Sequence, residues 1–200
     1  MSARPQLQVR STAGRVAGWA FVVFAVLNLL DLLVGLTGAA RHDRTGAAYA
    51  LALLFGCALA YALGLRPAIL GDDAGVTVRN PLRDTRAPWR AVREVAGGAA
   101  VTVRFAGPDG RDVVTRAWVD QTSPRAQAKA EKRSARDGAA KVAAAALKGR
   151  TPATYTAERL NEIGRRDRAE GSETGTVSWS WPTVAALVVP PVALAVLLAV

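Results

Sequence analysis

Three apolar runs, Val16–Leu36, Ala47–Leu65 and Val184–Val200, constrain this chain more than any other feature. Each approaches the roughly 20 residues that a helix needs to cross a bilayer. A helix also satisfies its backbone polar groups internally, as lipid demands. The sequence therefore predicts three spans, with a polar stretch, Arg66–Ser178, between the second and the third. The spans take roughly 60 residues and leave about 110 for water-soluble structure. That length suffices for one small domain with its own core.

The first run follows basic residues, as the apolar part of a signal peptide would. It is longer than such a region, and Gly38-Ala39-Ala40 is a weak cleavage site, so a retained span is expected. The polar connection Gly38–Gly46 is short, which makes the first two spans an antiparallel hairpin. Arg4, Arg10 and Arg15 precede the hairpin without an acid, whereas within it Asp31 and Asp43 balance Arg41 and Arg44. Basic residues stay on the cytoplasmic side. The expectation is thus a multi-pass protein of the plasma membrane, with its N-terminus and polar stretch in the cytoplasm. Trp179-Ser180-Trp181-Pro182 leads into the third run, with tryptophans at the interface and a proline in the first turn. Pro190-Pro191 should kink that helix. A full crossing is expected rather than a re-entrant loop.

The net charge is +10, and after the N-terminal arginines most of the excess lies in Arg66–Ser178. Retention beside an anionic membrane surface accounts for it. Nucleic-acid binding would need clustered basic residues interleaved with exposed aromatics, or a known module, and none is evident. The single cysteine, Cys57, lies in the second span, where a packing role is expected. One cysteine builds neither a disulfide nor a thiolate metal site within one chain.

The polar stretch has two textures. Gly75–Asn80 alternates as a strand and ends in the turn signal Asn80-Pro81. Ala68-Ile69-Leu70 pairs with it across Gly71-Asp72-Asp73-Ala74-Gly75. Ala99–Phe105 and Asp112–Val119 flank Gly107-Pro108-Asp109-Gly110, a second hairpin. From Ser123 onward the chain is rich in Ala, Lys and Arg. Ser123-Pro124 starts a helix or tether over Arg125–Leu147 with little apolar surface to bury. Tyr155–Arg168 is a shorter predicted helix with Leu160 and Ile163 as its apolar pair. Ala169–Thr176 reads as a polar linker.

Within Arg66–Val119 a pattern stands out. A membrane hairpin runs into Arg66-Pro67, an acidic turn at Asp72-Asp73, then Gly75-Val76-Thr77-Val78-Arg79-Asn80-Pro81, and finally Pro88-Trp89 before Val92 and Val95. This resembles the bacterial pleckstrin-homology (PH)-like domain of small membrane proteins in high-GC bacteria, of the low-molecular-weight-antigen type. The resemblance implies a small, curved antiparallel β domain, no enzymatic activity and no assigned ligand, so it carries over no functional residues. Independently of it, Trp89 beside β-branched residues is expected to close a small core.

Few groups offer chemistry. Asn28 and Asp31 are the strongly polar groups deep in the first span and share a helix face at i, i+3 spacing. An intramembrane carboxylate is costly and marks a functional candidate. A structural or assembly role is expected, with Asp31 reaching interfacial water or pairing with Arg41 or Arg44. Transport would want a second such group, and the second span offers none. His42 has no Cys, His or carboxylate cluster around it, and Asp72-Asp73 lack the spaced third acid of a calcium loop, so no metal or other cofactor is expected. No nucleophile elbow, P-loop, dinucleotide fingerprint or zinc-protease motif occurs. Arg79, Arg83, Arg86, Arg90 and Arg93 form the best basic cluster. Several of them are expected along one edge of the small sheet, facing lipid phosphates or an acidic partner.

The expected organisation is a membrane α+β protein. Residues 1–15 are a basic cytoplasmic segment, 16–65 a transmembrane hairpin and 66–122 a PH-like β domain. Residues 123–178 are a helical or partly disordered region, and 179–200 a third transmembrane helix. The expected function is non-catalytic: the bilayer holds a cytoplasmic domain that binds a protein partner or anionic lipid headgroups. The alternative is an accessory subunit of a membrane transport or translocation complex that uses Asn28 and Asp31.

Overall fold

The computed structural model describes residues 6–38, 43–119, 151–165 and 173–199. In chain order the elements are β1 (Leu7–Val9), α1 (Thr12–Val34), and α2 (Arg44–Ala60) continued by a π turn (Tyr61–Leu65). Then come β2 (Ala68–Asp72), β3 (Gly75–Arg79), β4 (Arg83–Pro88), a 3-10 turn (Trp89–Ala91), β5 (Val92–Gly97), β6 (Val101–Ala106) and β7 (Asp112–Arg116). The chain ends with α3 (Pro152–Gly164), β8 (Thr176–Trp179) and α4 (Trp181–Ala199). These separate into a helical unit (Ser11–Pro67, Pro81–Arg83, Trp179–Val200) and a mainly β unit formed by the rest.

In the helical unit, α1, α2 with its π turn, and α4 are long and apolar enough to cross a membrane, with mean hydropathies of 2.1, 2.0 and 2.2. Each begins about a turn before its apolar run, because polar residues set the start. Ser11 Oγ accepts from the Gly14 amide, and the Asp43 carboxylate accepts from the Gly46 amide. Gly35 ends α1 at φ 73°, a left-handed conformation that costs glycine little. The second span does not stay α-helical to its end. The Arg66 amide donates to the Tyr61 carbonyl at 2.8 Å, one residue wider than the α spacing. Inside that π turn Gly64 meets α1 so closely that a Cβ there would lie 2.4 Å from the Gly14 carbonyl oxygen. Small residues at this crossing let two backbones touch. Phe21 covers Gly56 in the same seam, and α4 packs on α2. The outward surface is apolar, with Leu27, Leu33, Val189 and Val196 exposed. Lipid, not water, suits such a surface. Pro190 and Pro191 lie inside α4, which continues past them.

The β unit holds two antiparallel sheets. The larger has the order β1-β2-β3-β4-β8 and the smaller β5-β6-β7. Register aligns Val9, Ile69, Val78 and Thr85 in one row of the larger sheet, and Leu7, Gly71, Val76 and Ala87 in the next. These rows face the core, where Ile69, Val76, Val78 and Trp89 meet Val95, Val101, Val103 and Phe105 of the smaller sheet. The buried hydroxyls of Thr85 and Thr115 satisfy each other between the sheets at 3.1 Å. Helix α3 closes the core with Ala153, Ala157 and Leu160. Thr151 caps α3 by accepting from the Thr154 amide, and Pro152 occupies its first position. The helix therefore starts ahead of the predicted Tyr155 and ends at Gly164.

Both predicted hairpins form, as β2–β3 and β6–β7. Strands β1 and β8 were not anticipated, and within the strand-rich stretch 67–119 the extents of β4 and β5 come from the structure. Leu7–Val9, read as part of a basic segment, adds β1 to the larger sheet. Arg83–Pro88 is polar in sequence yet turns Thr85 and Ala87 inward. Thr176–Trp179, read as the end of a linker and the lead-in to a span, adds β8. The Ala/Lys/Arg-rich segment Arg125–Leu147 lies outside the described residues.

Candidate functional site

The five arginines of the basic cluster do not share one edge. Strand parity places Arg79 and Arg86 on the outer face of the larger sheet, where Arg86 stands opposite Thr77 and Arg79 opposite Asp84. The two arginines are diagonal neighbours on adjacent strands, a spacing of about 7–8 Å, and both are exposed. Arg83 starts β4, its guanidinium carbon 4.4 Å from the centroid of the Trp179 ring. Arg90 is exposed on the 3-10 turn that links the sheets. Arg93 lies at the irregularity of the smaller sheet, where the register passes from Val92 to Glu94. The extra residue at such a bulge re-aims its side chain. Nearby, Arg104 pairs with Glu94 on the same sheet.

Further exposed groups escaped the sequence reading. Trp118 is about half exposed, and its backbone amide donates to Asn80 Oδ1 at 2.8 Å. Asn80 in turn donates from Nδ2 to the Arg116 carbonyl at 2.9 Å. One side chain thus ties the end of β3 to the end of β7, a role its turn signal alone did not reveal. Asp72, offered by sequence as half of an acidic pair, forms the turn: its Oδ1 accepts from the Ala74 and Gly75 amides at 3.0 and 2.9 Å. Asp73 accepts from Gln6.

In the helical unit Asn28 and Asp31 line a polar cavity of about 410 Å³ together with Thr37, Thr45 and Tyr49. Asn28 donates to the Phe24 carbonyl at 2.8 Å, and its Oδ1 accepts from the Tyr49 hydroxyl at 3.1 Å. The second span therefore does contribute a polar partner. Hydropathy passes over it because tyrosine carries its hydroxyl on a large apolar ring. Asp31 bonds to Thr37, accepting from its amide and its hydroxyl at 2.8 Å each, rather than pairing with Arg44. Arg41 and His42 lie outside the described residues. The carboxylate ties down the chain just past the end of α1. An asparagine at this position retains one acceptor for the amide and gains a donor for the hydroxyl. Asp31→Asn is expected to leave the hairpin assembled and Asp31→Leu to loosen it. Trypsin cleavage of the 35–46 connection in membrane vesicles reads the difference. Loss of a transport phenotype in Asp31→Asn, with cleavage unchanged, would assign the charge itself a role.

Among the described residues no group of three His, Cys, Asp or Glu is placed to hold a metal ion. Residues 66–138 match the family of bacterial PH domains. The match covers the whole Arg66–Val119 resemblance and extends past it into residues outside those described. No curated protein and no solved structure matches the chain.

Proposed function

We propose that this chain, which carries a bacterial PH-like domain, is a non-catalytic, membrane-anchored interaction protein. Its three apolar helices anchor it in the bilayer, with the domain and the N-terminus on the cytoplasmic side of the plasma membrane. The domain's outer sheet face, around Arg79 and Arg86, receives a protein partner. The observation that carries this reading is the interleaving of domain and helices. Strand β1 precedes the hairpin and β2 follows it, yet the two pair in one sheet. The hairpin must therefore leave and return on one side of the bilayer. Strand β8 belongs to the same sheet and runs directly into α4. The chain thus passes between the domain and its apolar helices at three points. The arginines before α1 and throughout the polar stretch support the cytoplasmic side.

Two exposed, diagonally placed arginines offer donors for carboxylates of a partner. Arg79→Gln, which avoids setting a second carboxylate opposite Asp84, together with Arg86→Glu is expected to change domain stability by no more than about 0.5 kcal/mol per site, while abolishing partner capture. Photocrosslinking probes at Thr77 and Arg90 in native membranes, read by mass spectrometry, test this. A discrete protein adduct that disappears in the double variant supports the reading. Adducts to lipid alone would make the face a headgroup surface, and no adduct at either probe would reject it.

A further inference from the structure

We propose that Arg83 and Trp179 form a binding site for the phosphodiester of an anionic bilayer lipid, at the end of the helical unit where α4 begins. Trp179 immediately precedes Ser180, the residue before the first turn of α4, and Trp181 is the first residue of that 19-residue apolar helix. A helix of this kind places its starting tryptophans at headgroup level, where their rings are half apolar and half wet. Trp179 and Trp181 are 48% and 70% exposed, and Leu82 beside them is 38% exposed. A site for a soluble anion has no use for three apolar side chains turned outward, whereas the glycerol and upper acyl region of a lipid covers them.

Arg83 is brought to that level by two contacts. Its guanidinium lies 4.4 Å from the centre of the Trp179 ring. The Ser180 amide donates to the Leu82 carbonyl at 2.9 Å, tying the backbone just before Arg83 to the backbone just after Trp179. Ser180 also bonds Thr183 through their hydroxyls at 2.9 Å, and the Val184 amide donates to the Ser180 carbonyl at 3.0 Å, so the start of α4 is itself anchored. The arrangement is pre-organised on both sides of the cation.

The cation–π contact uses the charge of Arg83 and the face of the ring. It leaves the planar fork of N–H donors suited to two phosphate oxygens at once. A lipid of net negative charge also leaves the arginine's charge neutralised, which a zwitterionic headgroup does not. This site belongs to the helical unit, and its lipid is independent of any partner on the face around Arg79 and Arg86. The two readings therefore fail separately, one by crosslinking and one by lipid retention.

The test uses the full chain in nanodiscs of equal phosphatidylglycerol and phosphatidylcholine. Native mass spectrometry after release from the disc gives the ratio of the two lipids retained. The wild type is expected to retain phosphatidylglycerol several-fold over phosphatidylcholine. Arg83→Ala should bring the ratio near parity, and Arg83→Lys, which keeps the charge but loses the fork, should fall between. Trp179→Leu should weaken the preference while keeping an apolar residue there. Arg104→Ala, on the smaller sheet, should change nothing. An unchanged ratio in Arg83→Ala overturns the proposal. So does an equal loss in Arg104→Ala, which would make the effect one of overall charge, or removal of the lipid by inorganic phosphate in the buffer, which would make the site one for a soluble anion. If Arg83→Ala does not assemble, Arg83→Lys and Trp179→Leu decide, and two wild-type ratios would reject the site.

Discussion

Trp89→Ala is expected to cost about 3–5 kcal/mol, the range for truncating a buried tryptophan, and to unfold the β unit. Small domains are stable by only about 5–15 kcal/mol. Trp89 is 1% exposed and stands on the 3-10 turn where the chain passes from one sheet to the other. Its Nε1 donates to the Asp72 carbonyl at 2.8 Å, which ties that crossing to the β2–β3 turn. Its ring also lies against the end of α3, where a Cβ on Gly164 would stand 2.4 Å from Cε3. The residue thus joins both sheets and the closing helix. Truncation leaves a cavity in contact with all three and removes the Nε1 donor from the Asp72 carbonyl. Trp89→Phe keeps most of the ring volume and loses the hydrogen bond, so a smaller penalty is expected. Thermal melts of the full chain in micelles, followed by near-ultraviolet circular dichroism, separate the two variants. A Trp89→Ala melt close to the wild type would show that the two sheets do not share one core.

Gly64→Leu is expected to open the crossing of α1 with the π turn. At this site the atom in the way is backbone. The Gly14 carbonyl oxygen would lie 2.4 Å from the new Cβ and its carbonyl carbon 3.2 Å. A side-chain tip can swing aside, but here a whole helix must move. Overpacking typically costs about 1–3 kcal/mol and sometimes more, and the close backbone approach that favours such crossings in lipid is lost as well. Gly38→Leu is the control, because nothing lies within 4 Å of a Cβ there. Sodium dodecyl sulfate titration of the full chain in mild detergent, read by circular dichroism, should shift to lower concentration for Gly64→Leu alone. Equal midpoints for the two variants would mean that the α1 crossing does not stabilise the fold.

The arginine cluster shows how far a sequence reading carries and where it stops. Arg79, Arg83, Arg86, Arg90 and Arg93 are close in sequence, which leads one to expect several of them along one edge. Pleat parity, the break before β5 and the bulge at Arg93 distribute them instead over the outer face of one sheet, the Trp179 ring, a connecting turn and the second sheet. Only Arg79 and Arg86 remain neighbours on a face. Register is a property of paired strands, and one residue of slip turns every side chain to the other face. Nothing local to β4 encodes it.

What the sequence determined by itself was everything local. Apolar runs long enough to span, the Pro-Asp-Gly hairpin, the alternating strand at Gly75–Arg79 and a tryptophan destined for a core each follow from a few consecutive residues. The PH-like pattern after Arg66 was legible too, and the family match at residues 66–138 bears it out. The tertiary structure alone decided that Leu7–Val9 and Thr176–Trp179 are strands, and that Arg83–Pro88 turns Thr85 and Ala87 inward. These segments are short or polar, and their conformation comes from partners far away in the chain. Leu7 finds Gly71 across the whole α1–α2 hairpin. Spans are selected by the solvent around a single helix, whereas edge strands are selected by the sheet they join. The same distinction governs Asn28 and Asp31: their polarity was plain in the sequence, but their partners Tyr49 and Thr37 emerged only once the helices were packed and capped.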